Sequence, residues 1–173
     1  MPTLKNSSII VAVLLILCFA SCKTKYSFTG ASIPADVKTV SIQYFPNYAP
    51  LAQPTLSQSF TEALRDIFLS QTNLNLLEKS GDLQFEGAIT GYSTNPVAIQ
   101  GNEISAASLN RLTITVNVKF INTKDENQNF ESSFSRFTDY DASQNLSAVE
   151  AVLIKEINDQ LVQDIFNKSV TNW

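Results

Sequence analysis

The chain has no histidine and only two cysteines. Without histidine there is no Ser-His-Asp or Cys-His triad, no His/Cys zinc site, and most haem ligation is excluded. The commonest general base at neutral pH is missing too. The cysteines, Cys18 and Cys22, both fall in one short N-terminal stretch, so a cut between them leaves no partner for an internal disulfide. Basic residues are also sparse, 12 against 16 acidic, for a formal net charge of −4. Phosphate backbones demand a basic patch, so no nucleic-acid partner is expected. Nothing in the sequence calls for a cofactor or a metal.

What is present begins with an uninterrupted apolar run, Ile9 to Ala20, preceded by a single charge, Lys5. At about 1.5 Å per residue its helix reaches roughly 18 Å, well short of the ~30 Å hydrocarbon core. It reads as the apolar region of a signal peptide and not as a membrane span. Phe19-Ala20-Ser21-Cys22 follows, with small residues at Ala20 and Ser21 as a signal peptidase requires. This run resembles the bacterial lipobox in its relaxed, Bacteroidetes form, with Phe19 where Leu is commoner. Cys22 is the expected acceptor of a diacylglycerol thioether. Cys18 is a poorer acceptor because bulky Leu17 precedes it, and it reads as apolar filler. Residues 1–21 are therefore expected to be a lipoprotein signal peptide, and 22–36 a lipidated N-terminus and tether. The remainder from Cys22 carries 11 basic and 16 acidic residues, a net charge of −5.

Periodicity organises the rest. Val37–Phe45 alternates, with Val40, Ile42 and Tyr44 on one side and Ser41 and Gln43 on the other, which predicts a half-buried strand. Pro46 and Pro50 end it. Leu56, Phe60, Ala63, Leu64, Ile67 and Phe68 form one stripe at helical spacing, opened by a capping box at Thr55 and Gln58. Asp82–Tyr92 reads as a second strand, with Leu83, Phe85 and Ile89 on one face and Gly87 marking a bulge or a close approach. Ser93 to about Ala107 is a connection far longer than the 2–5 residues usual in a hairpin. Leu109–Asn122 is the clearest strand, its Leu112, Ile114, Val116, Val118 and Phe120 alternating with Thr113, Thr115, Asn117 and Lys119. Lys124–Asn127 is a polar turn, and Phe130–Tyr140 a fourth strand. A last helix carries Val149, Leu153, Ile157, Leu161 and Ile165 on one stripe, broadened by Val152, Val162 and Phe166, behind a capping box at Ser147 and Glu150. The expectation is one α+β domain over 37–173, ordered β-α-β-β-β-α, with two helices on one face of a four-stranded, mostly antiparallel sheet.

With the elements in this order, the chain resembles the LptE family of lipopolysaccharide-assembly lipoproteins in its Bacteroidetes form. The stretches that carry the resemblance are Tyr26-Ser27-Phe28-Thr29-Gly30, Thr39 to Asn47, Asn110 to Val116, Asp164 to Lys168, and the terminal Asn172-Trp173. The resemblance implies a non-enzymatic, outer-membrane lipoprotein that faces the periplasm. It implies a partner, an LptD-type β-barrel that the protein helps to assemble and plugs, and lipopolysaccharide as a ligand. Lys23 after the lipidated cysteine fits this location, since neither the Asp of inner-membrane retention nor an acidic surface-export run is there. Two rival readings are an auxiliary lipoprotein of an ABC-type lipid transport system and a small enzyme working with carboxylates or serine alone. The isolated chain is expected to be a monomer.

Three groups of residues are candidates for function. Arg111, Lys119 and Arg136 could hold the phosphates and acidic sugars of lipopolysaccharide, or simply solubilise an exposed sheet face. Val97, Ile99, Asn102 and Glu103, in the long connection, could contact the barrel, or form an extended hairpin. Asp139-Tyr140-Asp141 spaces its carboxylates as calcium loops do, but lacks their further ligands and glycine, and reads as a loop. Phe60, Phe68, Phe120, Phe134 and Phe166 read as core. Trp173 either packs on the body or reaches a partner.

Overall fold

The alternating stretches form strands, and a single sheet gathers them. The structure, a computed structural model, describes residues 33–50, 52–97 and 108–170. Along the chain run β1 (Thr39–Ile42), α1 (Leu56–Gln71), β2 (Asn75–Leu77), β3 (Leu83–Val97), β4 (Leu109–Asn122), β5 (Phe130–Asp141) and α2 (Leu146–Val170). The polar turn between β4 and β5 holds one turn of 3₁₀ helix, Glu126–Gln128. The sheet order is β2-β1-β3-β4-β5. β1 runs parallel to both its neighbours, while β3–β4 and β4–β5 are antiparallel.

The domain is thus α+β with two helices, but the sheet has five strands and is mixed, not four-stranded and mostly antiparallel as expected. The missed strand, β2, is three residues long, with Leu76 half-buried between exposed Asn75 and Leu77. That is too short for a period of two to show. It lies parallel to β1 because α1 carries the chain back before it pairs, as a parallel connection requires.

Both helices cover the face built by Val40, Ile42, Leu83, Phe85, Ile89 and the apolar positions of β4. Phe68 of α1 stands in the middle, its ring 4.8 Å from Phe85 and 5.0 Å from Phe166 of α2. Phe85 in turn lies 4.9 Å from Phe120. This chain of rings ties helix, sheet and helix together, each such pair adding about 1 kcal/mol beyond its buried area. Phe60, Phe68, Phe120 and Phe166 are fully buried, as expected. Phe134 is only partly so, at the rim on β5.

The strand expected over 37–45 stops at Ile42. Tyr44 is 57% exposed, and the core place goes to Phe45. The Phe45 N–H donates to Thr61 Oγ1 on α1 at 3.1 Å, which turns its ring against Phe60 at 5.2 Å. Gly87 is the matching space on β3. A Cβ there would come within 2.6 Å of the Phe45 ring and 2.1 Å of the Asn117 carbonyl oxygen, so the close-approach reading holds. The register irregularity itself falls between Ile89 and Gly91.

Neither capping box forms. Thr55 already has helical φ and ψ (−80°, −10°), makes no side-chain cap bond, and Gln58 donates forward to Glu62. At α2 the cap lies two residues before Ser147: Asn145 Oδ1 accepts from the Ser147 N–H at 3.1 Å. Glu150 is freed for another task described below. On the same helix Val152 is 70% exposed and Ile154 takes its place in the core.

At one end of the sheet, Asp82 fastens three strands. Its carboxylate accepts from the N–H groups of Lys38 and Thr39, from Thr39 Oγ1, and from Lys124 at 3.0 Å. The Lys38 N–H, then Lys124, hold it well below the usual carboxylate range. Ile33 and Val170 both line a small crevice at this end, which therefore gathers the first and last described residues. The β3–β4 hairpin opens at the opposite end, about 46 Å away at ~3.3 Å per strand residue.

Candidate functional site

Helices leave the second face of the sheet uncovered, and its residues follow from the register. Across β3, β4 and β5 the rows read Glu86–Lys119–Glu131, Ala88–Asn117–Ser133, Gly91–Thr115–Ser135, Ser93–Thr113–Phe137 and Asn95–Arg111–Asp139. Hydroxyls and amides fill the middle rows. Thr115 Oγ1 and Ser135 Oγ are 3.0 Å apart, and Asn117 donates to Glu131 at 3.2 Å. The face is half-buried or exposed throughout, polar, and close to charge balance.

Two of the three candidate cations lie on this face and the third does not. Arg111 and Lys119 point outward, eight residues apart on β4, or about 26 Å at ~3.3 Å per residue. Arg136 has the opposite parity on β5 and reaches Asp164 of α2 through two bonds of 2.5 and 2.8 Å. The structure therefore does not bring the three together. Arg111 is engaged as well: Asp139 grips it at 2.7 and 2.8 Å, and its guanidinium stacks 3.6 Å from the ring centroid of Phe137, itself 47% exposed. The hydrogen bonds from Arg111 lower the Asp139 pKa, and Asp139 raises that of Arg111. Asp139-Tyr140-Asp141 is consequently not a loop but the end of β5, with Tyr140 buried and Asp139 holding Arg111. Lys119 stands between Glu86 and Glu131 in register and is exposed.

The expected long connection is mostly strand in its first part, because Ser93–Val97 pairs with Leu109–Thr113. Val97 closes the ladder opposite Leu109, while Ile99, Asn102 and Glu103 lie outside the described residues. So do Cys22 and Trp173. Sequence reasoning missed a partly buried polar trio on the helix side. Glu150 accepts from Gln53 Nε2 at 2.6 Å and from the Tyr92 hydroxyl, joining the segment before α1, strand β3 and helix α2. Burial, then the bond to Glu150, push the Tyr92 phenol pKa far up. Glu150 looked like a helix cap, and no short-range pattern distinguishes a cap from a tertiary anchor. Among the described residues no three His, Cys, Asp or Glu side chains converge as a metal site would require.

A family model described as LptE, lipopolysaccharide-assembly, matches residues 37–169. No curated protein matches the sequence. Among solved structures, the chain is similar to a neuraminyllactose-binding hemagglutinin homolog from Helicobacter pylori, with a TM-score of 0.52 and 10% identity over 83% of this chain and 89% of that one. It is also similar to a minor lipoprotein from Acinetobacter baumannii, with a TM-score of 0.44 and 13% identity over 74% and 91%. Lipoprotein B from Nitrosomonas europaea gives 0.45 and 15% over 84% and 88%. At such identities the likeness to the first is one of fold alone.

Proposed function

Since the chain belongs to the LptE lipopolysaccharide-assembly family, we propose that it is a non-enzymatic outer-membrane lipoprotein that assists assembly of an LptD-type β-barrel, plugs its lumen and contacts lipopolysaccharide in transit. The observation that carries this reading is the open face of the sheet. A barrel lumen is polar and lined by alternating strand residues. The Thr, Ser and Asn of its middle rows present donors and acceptors to such a wall, with Phe137 the one large apolar side chain exposed among these rows. Cleavage before Cys22 and acylation of its thiol, with palmitate among the chains, would tether the domain by residues 22–36 at the Asp82 end. The β3–β4 hairpin then points away from the periplasmic leaflet, deeper into the barrel, with Val97 at the far end of its ladder. For the ligand, Lys119 and the Arg111–Phe137 stack are the candidates on this face. Arg136 can take part only by leaving Asp164.

Photo-crosslinkers placed at Thr115, Asn117 and Ser133 of the full lipidated chain test the reading in native membranes. Adducts with a large outer-membrane barrel are expected. Adducts with an inner-membrane ATPase complex instead would overturn it in favour of an auxiliary role in ABC-type lipid transport.

A further inference from the structure

The outer side of the helix layer carries a feature that the barrel reading does not use. Between α1 and α2 runs an open groove of about 580 Å³. It extends from Thr55 to Ser70 along α1, about 22 Å at ~1.5 Å per residue. Ala63, Ile67, Ile154 and Val162 make an apolar floor. The rim is acidic. Glu62 and Asp66 line the α1 side, and neither enters an ion pair among the described residues. On the α2 side Lys155 is bound to Asp159 at 2.7 Å, so that pair is neutral. The groove therefore keeps two uncompensated negative charges over apolar ground.

Its lining also holds an incomplete hydrogen bond. Ser59 gives its hydroxyl proton to the Leu56 carbonyl at 3.1 Å, so towards Asn158 it can only accept. Asn158 donates to it through Nδ2 at 3.2 Å, which fixes the amide and turns Oδ1 away. Asn158 is 2% exposed, and its Oδ1 has no donor. Buried acceptors without donors are rare and ask for one.

From these observations we propose that the groove between α1 and α2 seats a basic amphipathic helix of a partner protein. Its apolar side rests on Ala63, Ile67, Ile154 and Val162. Its lysines or arginines meet Glu62 and Asp66, and the two helices part enough for a donor to reach Asn158 Oδ1, which is closed to solvent in the unbound chain. Four turns of helix match the length of the groove, and a third helix laid on two is an ordinary ridge-into-groove packing. The proposal concerns the helix side of the domain before a barrel encloses it, whereas the barrel reading is carried by the open face of the sheet.

A synthetic amphipathic helix of leucine and lysine, as long as the groove, is the probe, titrated into the full chain from Cys22 at low salt. Saturable one-to-one binding is expected, weakened about tenfold in the E62K/D66K variant. E78K/E126K changes the net charge equally at exposed positions outside the groove, and should retain binding. A photo-crosslinker at Ala63 should capture the peptide, and one at Ser133 should not. Absence of saturation overturns the proposal. So does an equal loss in both variants, which would mean that binding follows net charge alone. Capture of a second copy of the chain at Ala63 in place of the peptide also overturns it.

Discussion

On β4, Leu112, Ile114, Val116, Val118 and Phe120 are all but excluded from solvent, whereas Thr113, Thr115, Asn117 and Lys119, interleaved with them, are half-buried or exposed. One strand thus serves two environments. The helix side is closed, aromatic and dependent on shape. The open side is polar, and the few bonds it makes are exposed to water. The first kind of surface makes a fold, and the second leaves residues free to meet another molecule. The two should therefore respond oppositely to substitution. Changes on the helix side should alter stability, and changes on the open side should alter association while stability barely moves.

The sharpest contrast is expected from Phe68, which touches both Phe85 and Phe166. Phe68→Ala should cost about 4 kcal/mol, seen as an earlier urea midpoint, because it removes the ring that joins the helices to the sheet. Gly87→Ala comes next. Its new methyl group meets a backbone carbonyl at 2.1 Å, which cannot swing aside as a flexible side chain can. About 3 kcal/mol is expected, by the same measurement. A loss below about 0.5 kcal/mol in either variant would break the contrast between the faces.

These two positions also show how far the sequence was legible. Gly87 could be picked out because it interrupts an apolar face of β3, and Phe68 because it completes a helical stripe. Strong periodicity over many residues reports burial directly, which is why both helices and the long strands could be read. It fails where a contact is made by residues distant in sequence. The three residues of β2 are defined by pairing with β1, not by any pattern of their own. Tyr44 and Phe45 exchange roles because Thr61, on α1, fixes the Phe45 backbone. In the sequence Glu150 has the spacing of a cap, because a capping box and a tertiary carboxylate share one local spelling. The candidate cations share adjacent predicted strands, but that alone does not put them on one face. Strand parity, which sends Arg136 to the helix side, depends on a register that the sequence of β5 marks only weakly.

A smaller effect, with a pH signature, is expected at Asp82. Its folded-state pKa is depressed by the Lys38 N–H and then by Lys124, so its contribution is complete above the unfolded value of about 4 and drains away as pH falls towards the folded value. Asp82→Asn keeps the shape but loses the charge, and should cost about 2 kcal/mol at pH 7. Urea unfolding at pH 7, 5 and 3 checks it. The gap between the variant and the parent should stay constant from pH 7 to 5 and narrow below about pH 4. A gap that is the same at pH 3 would mean that shape, and not the ionised carboxylate, is what joins the three strands at this end.

The smallest change in stability should accompany the largest change in association. Thr115 and Ser135 share an exposed hydroxyl contact, and Ser133 lies in the neighbouring row. Exposed neutral hydrogen bonds of this kind exchange readily with water and add little. Thr115→Ala with Ser133→Ala should therefore shift stability by no more than about 0.5 kcal/mol. In the membrane the same pair should lower the yield of barrel adducts from a crosslinker at Asn117, because each alanine leaves a donor or acceptor of the opposing wall unpaired where water is scarce. Association that survives the double variant unchanged would show the open face to be merely solvated. The partner would then have to meet the molecule through the hairpin or the helix layer, and the division of labour between the two faces would not hold.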